Sequence, residues 1–307
     1  MPKNHQNIQR GERLHIPVLA KEVIDCLQPQ AGDSYLDLTA GYGGHAELIL
    51  QATKSPEKTV LVDRDEAAAK VLENKFPESI VINSDFLGAC RKLQTEGKQF
   101  NIILADLGVS SPHFDNPDRG FAFSTSGPLD MRMDQRQAQT ASQLVNNASE
   151  QELARIIKQY GQEPRANAVA KAIVANRPVE NTSELARIIE EALGRKFRSK
   201  KVHPATLTFQ ALRIAVNDEL NQIEQSLPLM ENLLAPGGRL AIISFHSLED
   251  RIVKQFFKDQ AGDRYDAELR MLTSKPVTAG PEELVLNPRA RSAKLRAAAK
   301  IKNRKEL

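Results

Sequence analysis

The run Asp37-Leu38-Thr39-Ala40-Gly41-Tyr42-Gly43-Gly44-His45 constrains this chain more than any other stretch. An apolar, strand-like segment (35–38) leads into it, and a helix-like segment (45–52) leaves it. Glycines between a strand and a helix let backbone N–H groups approach a ligand, because no Cβ stands in the way. The strand–helix pattern then repeats. Strand candidates at 34–38, 59–62, 79–83 and 101–104 alternate with helix candidates at 45–52, 66–75 and 87–96. This alternation predicts a parallel sheet covered by helices.

The turn alone leaves the ligand open. Gly41, Gly43 and Ala46 fit the G-x-G-x-x-A spacing of dinucleotide sites, and Asp63 lies about where a ribose-binding acid stands. Asp37, four residues before the first glycine, sets a carboxylate where a cationic or amine-bearing ligand can meet it. That arrangement suits S-adenosylmethionine (SAM) better than NAD.

With 307 residues the chain is long enough for one large domain or two smaller ones around a real core. No apolar run approaches the roughly 18 residues of a membrane span, and the first fifteen residues carry no apolar signal region. Cys26 and Cys90 are too few and too far apart for a metal cluster or a disulfide framework, so the expectation is a cytoplasmic protein with no metal site. The net charge of +3 is modest but unevenly placed. Arg195, Lys196, Arg198, Lys200 and Lys201 form one cluster, and a second runs from Arg289 through Arg291, Lys294, Arg296, Lys300, Lys302 and Arg304 to Lys305. Such clusters suit nucleic-acid phosphates, or equally plain solvated faces.

Residues 142–235 show almost no strand-like alternation. Ser149 with Glu152, and Asn181 with Glu184, have the spacing of helix starts. Glu-Leu-Ala-Arg-Ile-Ile occurs at 152–157 and again at 184–189, which reads as two amphipathic helices. A later strand at 239–245 follows Ala235-Pro236-Gly237-Gly238, and a helix at 248–258 is expected to be capped by Ser247 with Asp250. The expected architecture is a Rossmann-like α/β domain, residues 1–112 and 217–307, interrupted by an all-helical insertion at 113–216. The part beyond residue 260 is hard to place in this scheme, and its basic end is a candidate for disorder on its own.

Five motifs occur in order. They are Gly43-Gly44-His45, Asp106-Leu107-Gly108-Val109-Ser110-Ser111-Pro112-His113, Gly127-Pro128-Leu129-Asp130-Met131-Arg132-Met133-Asp134, the run from His203-Pro204 to Leu212-Arg213, and Ile243-Ser244-Phe245-His246-Ser247-Leu248-Glu249-Asp250-Arg251. With Asn287-Pro288-Arg289-Ala290-Arg291-Ser292 near the end, the chain resembles the SAM-dependent bacterial small-subunit ribosomal RNA cytosine-N4 methyltransferases from about His15 to Arg291. The resemblance implies a class I methyltransferase fold and transfer of a methyl to N4 of a cytidine in the decoding region of 16S ribosomal RNA. It implies that Gly43, Gly44, His45, Asp63, Phe86, Asp106 and His113 line the cofactor. Free 16S rRNA or the assembled small subunit is the implied partner, with a homodimer as an allowed assembly and no membrane.

The chemistry at these positions agrees. A cytosine amine is a poor nucleophile because its lone pair is delocalised into the ring, so acceptors for its N–H groups assist the attack. Asp106 stands at a strand end, where open α/β sheets place ligands. Ser110, Ser111 and Pro112 correspond, by analogy, to the S/D/N-P-P-aromatic segment of DNA amino-methyltransferases, from which they depart in having one proline and in having His113 before Phe114. His246 could position the substrate or serve as a structural hydrogen-bond donor. Asp65 fits a helix cap better than a ligand contact. Arg132 could clamp a phosphate or pair with Asp130 or Asp134, and His203, Thr206 and Arg213 mark a candidate RNA-facing surface. An NAD-dependent oxidoreductase, a non-catalytic assembly factor with a SAM fold, and a methyltransferase of DNA or lipid remain as alternatives.

Overall fold

The computed structural model describes residues 17–109, 114–194, 203–261 and 267–301. Its strands are β1 (Tyr35–Asp37), β2 (Thr59–Asp63), β3 (Ile80–Asn83), β4 (Phe100–Asp106), β5 (Leu234–Ser244), β6 (Leu269–Met271) and β7 (Lys294–Lys300). They form one seven-stranded sheet in the order β3-β2-β1-β4-β5-β7-β6. Neighbours from β3 to β5 run parallel, while β7 is antiparallel to both β5 and β6. The chain builds outward from β1 to β3, then returns to the other side of β1 with β4. That reversal opens a crevice beyond the carboxyl ends of β1 and β4, where such sheets bind ligands.

The central strands β1, β2 and β4 are near-continuous apolar runs because helices cover both sheet faces. Successive side chains point to opposite faces. Val60 and Val62 of β2, with Ile103 and Ala105 of β4, enter one core, while Leu61, Ile102 and Leu104 enter the other. Helices α1 (Ala20–Leu27), α2 (Gly44–Thr53) and α3 (Glu66–Lys75) close the second core through Val23, Ile49 and Leu72. The first is closed by α4 (Phe86–Thr95), α10 (Glu219–Leu233) and α11 (Ser247–Gln260), through Leu93, Leu227 and Phe257. Truncating a fully buried residue such as Leu61 to Ala would cost about 2–5 kcal/mol, the lost transfer energy plus the cavity.

Between β4 and β5 lie α5 (Ala141–Asn147), α6 (Glu150–Gly161), α7 (Ala166–Ala175), α8 (Thr182–Leu193) and α9 (Thr206–Asn217). Their buried residues, with the segment from Phe121 to Met133, share a core of their own. The two Glu-Leu-Ala-Arg-Ile-Ile copies fall in α6 and α8, and each buries its Leu and both Ile residues there. Ser149 and Asn181 cap these helices by accepting the amides of Glu152 and Glu184.

Beyond residue 260, where the sequence left the elements unplaced, the described chain is sheet and helix: β6, α12 (Pro281–Leu286) and β7. The basic residues there are largely structural. Arg296 is buried against Asp250 at 2.7 Å, Lys294 lies 3.4 Å from the same carboxylate, and Lys300 donates to the Glu231 carbonyl. At the start of α11 the cap is His246 with Glu249, one residue earlier than Ser247 with Asp250. The imidazole Nδ1 can accept an amide as a hydroxyl does, and Glu249 reaches back to the His246 amide. The cluster 195–201 and the last basic residues, Lys302, Arg304 and Lys305, lie outside the described residues.

Candidate active site

The crevice is stitched together by its own side chains. β1 ends at Asp37, whose Oδ2 accepts the Tyr35 hydroxyl at 2.6 Å and whose Oδ1 accepts the Thr39 amide at 3.1 Å. The Thr39 hydroxyl in turn accepts the Asp106 amide at 2.6 Å, tying the β1 turn to the end of β4. Asp37 is only 1% exposed and is not among the residues lining the crevice. The carboxylate read from the sequence as meeting the ligand therefore lies beneath the floor and acts through Tyr35 and Thr39. Burial pushes its carboxyl up to about 7, against the pull of those two donors.

The glycine turn has two separate jobs. Gly41, at φ +54°, lines the crevice, and its amide donates to Asp63 Oδ2 at 2.8 Å. Gly43, at φ +80°, faces away: a Cβ there would stand 2.5 Å from Phe76 Cε2. Its absence from the lining separates it from Gly44 and His45, which do face the crevice at the start of α2. Asp63 also accepts the Asp65 amide at 2.8 Å, so its carboxylate is fixed before any ligand arrives. Asp65 caps α3 through Ala67 and pairs with Arg119 at 2.8 Å. Asp85 caps α4 by accepting the Gly88 amide, and Phe86, the first residue of α4, lines the crevice beside it.

Asp106 stands at the junction, with its side chain 25% exposed and Oδ2 3.8 Å from Nε2 of His45. Among the described residues its buried Oδ1 has no hydrogen-bond partner. Burial, with Asp37 and Glu249 nearby, holds this carboxyl well above the usual range. Glu249 was not singled out from the sequence, although its place three residues after His246 is the signal of a capping acid. It lines the crevice with Phe245, accepting the Phe245 and His246 amides at 2.7 and 3.2 Å. Burial would raise it, but His246, Arg213 and the Phe245 amide together hold it below the usual range.

His246 is not among the lining residues. Its Nδ1 accepts the Glu249 amide and its Nε2 lies 3.2 Å from Glu249 Oε1, so it supports the wall rather than facing the cleft. Arg213 is buried in a two-bond fork on Glu219, both contacts at 2.8 Å, and so is not on an RNA-facing surface. Glu219, His246 and Glu249 each offer an atom within 4.8 Å of the others. Within this group Arg213 is forked on Glu219, and His246 Nε2 stands beside Glu249 Oε1. Arg132 is bound to both oxygens of Asp130 and to the Gln135 and Gln137 carbonyls, which makes it an internal pair. His203 pairs with Glu190 at 2.7 Å and packs on Phe123. Ser110, Ser111, Pro112 and His113 lie outside the described residues. Phe114, just beyond them, is 38% exposed and meets Phe121 edge-on at 6.3 Å.

This arrangement gathers carboxylates around a glycine turn, one of them, Asp106, raised by burial and carrying an unpartnered oxygen. It suits a ligand bearing positive charge. Residues 12–301 match the model of the MraW methylase family. A ribosomal RNA small subunit methyltransferase H of Cyanothece sp. is 47% identical over 290 residues, covering 94% of this chain and 96% of that relative. The protein of the same name from Synechocystis sp. is 46% identical over 94% of this chain and 93% of its own length, and that of Halothermothrix orenii 43% over 94% and 99%. Matched along nearly its whole length, the chain belongs to the MraW methylase family.

Proposed function

We propose that this protein is a SAM-dependent methyltransferase that methylates N4 of a cytidine in the decoding region of 16S ribosomal RNA by direct in-line transfer. The observation that carries the reading is Asp106: a strand-end carboxylate with one buried, unpartnered oxygen, raised by burial and by two like charges. A cation beside it relieves that repulsion, and an amine N–H can satisfy the free oxygen. SAM supplies an electrophilic methyl on a sulfonium whose charge is lost as the carbon–sulfur bond breaks.

The chain's own residues do the rest. Gly41, Gly44 and His45 present the open start of α2 to the cofactor's amino-acid end, and Gly43 holds that turn in shape. Asp63, oriented by the Gly41 and Asp65 amides, is set to accept the ribose hydroxyls. Phe86 offers an apolar face to the base. Asp106 accepts an N–H of the cytosine amine, which localises the nitrogen lone pair. The proton shed after the new N–C bond forms passes to Asp106 or to water. Ser110, Ser111 and Pro112 are assigned to the same amine, and His113 to the cofactor, by the family pattern. His246 is assigned a positioning role through Glu249.

Ring-carbon methylation of cytosine uses a thiolate nucleophile, and neither cysteine serves. Cys26 and Cys90 are not among the lining residues, and burial raises both thiols, Cys90 to about 12. The helical insertion, residues 113–216, is assigned to substrate recognition because it has its own core and borders the crevice through Met133. The implied substrate is free 16S rRNA or the small subunit, in the cytoplasm. Among the described residues no helix is long and apolar enough to cross a membrane. A homodimer belongs to the same reading, and light scattering at assay concentration measures it. The function is tested with labelled SAM and small subunits lacking this methyl, followed by mass spectrometry of the digested nucleosides. N4-methylcytidine at one site supports the reading. Label on uridine or on a ring carbon overturns the amine chemistry.

A further inference from the structure

The crevice is lined by acids: Asp63, Asp85, Asp106, Glu219 and Glu249 all face it. An RNA strand that delivers a base into it brings phosphates toward that negative field, so a cation is needed at the mouth. The arginines around the crevice are mostly committed. Arg213 is buried on Glu219, Arg119 is held by Asp65 and two carbonyls, and Arg132 by Asp130. Arg64 lines the crevice beside Asp63 and donates to Gln222.

Arg289 is different. β7 runs antiparallel to β5, with Lys294 opposite Ser244, so the short helical turn before it (Pro288–Ser292) sits at the carboxyl edge of the sheet. This delivers Arg289 to the crevice from a segment far away in sequence. Its guanidinium is 44% exposed and meets Asp115 Oδ1 at 2.7 Å, and Asp115 is itself 67% exposed. Such a pair contributes little in water and exchanges readily for a phosphate, which offers more charge and the fork geometry an arginine prefers.

We propose that Arg289 receives a backbone phosphate of the RNA next to the target cytidine, and that Asp115 holds its guanidinium at the crevice mouth until the phosphate takes Asp115's place. This rests on the functional reading above. Binding the phosphate then releases Asp115 from Arg289.

The test measures affinity for unmethylated small subunits across a salt series, alongside SAM affinity by calorimetry, for wild type, Arg289→Gln and Asp115→Asn. Arg289→Gln should weaken subunit binding about tenfold at low salt and reduce the log–log salt slope by about 0.7–0.9. Asp115→Asn should tighten binding about threefold by removing a competitor for the guanidinium. Both variants should leave SAM affinity unchanged. Unchanged subunit affinity in Arg289→Gln, or weaker binding in Asp115→Asn, overturns the proposal. Weakened SAM binding in Arg289→Gln also overturns it, and assigns the residue to the cofactor's carboxylate instead. A wild type that binds subunits with this salt dependence but transfers no methyl refutes the functional reading alone. One that does not bind them refutes both.

Discussion

Replacing Asp37 with Asn should make the protein's stability respond to pH in a defined way. In the folded protein burial raises this carboxyl from 3.8 to about 7. Below both values each state holds the proton, and the stability that goes with the neutral acid is fully present. As pH rises, the unfolded chain releases its proton first, and folding is progressively disfavoured until the folded carboxyl has also ionised. The slope approaches about 1.4 kcal/mol per pH unit within that window, which amounts to about 2–3 kcal/mol of stability lost between pH 5 and pH 8. The Asp37→Asn side chain has no proton to lose. Its carbonyl still accepts the Thr39 amide, and the Tyr35 hydroxyl can turn to accept from the new amide group. Urea unfolding of both proteins at pH 5, 6, 7 and 8 isolates this group, because other titrations cancel in the difference. The gap should shift by about 2–3 kcal/mol in favour of the variant as pH rises. A gap constant to within about 0.5 kcal/mol would show that Asp37 is not held protonated, and would refute its placement beneath the floor.

Two other substitutions probe the walls. Gly43→Ala combines a positive φ with a Cβ 2.5 Å from Phe76, and should destabilise the fold by about 2–4 kcal/mol in urea unfolding. A loss under about 0.5 kcal/mol would mean that the turn is not held as described. Glu249→Gln removes a like charge that raises Asp106, so the Asp106 carboxyl should ionise at lower pH. If Asp106 acts ionised, the acid limb of the kcat/KM profile moves to lower pH. An unmoved limb would separate Glu249 from the reacting centre.

The sheet was legible from β1 to β4 because buried parallel strands are almost unbroken apolar runs between turn residues. The helix starts at Asp65, Ser149 and Asn181 were equally plain, since short acceptor side chains announce caps. β7 was not legible. Lys-Leu-Arg-Ala-Ala-Ala-Lys has neither alternation nor β-branching, and only pairing with β5 and β6, with burial on both faces, makes it a strand. The sheet's edge could not be completed without it, so the C-terminal segment could not be placed. Within the site, Asp63 and Asp106 were found because strand ends point at ligands. Asp37 is also a strand-end acid, but its descent below the floor depends on Tyr35 two residues earlier, whose hydroxyl reaches it on the same side of the strand. Glu249 was hidden by its role as a cap, and Arg289 by the antiparallel return of β7.

The role of Asp106 is decided by the single-turnover rate of methyl transfer in Asp106→Asn at saturating SAM and unmethylated small subunits. The amide preserves shape but replaces one acceptor oxygen with a donor. A fall of about 10²–10³ in rate, with the affinities for SAM and subunits kept within a few fold, is the expected result. A rate within twofold of wild type would contradict the assignment of Asp106 to the amine.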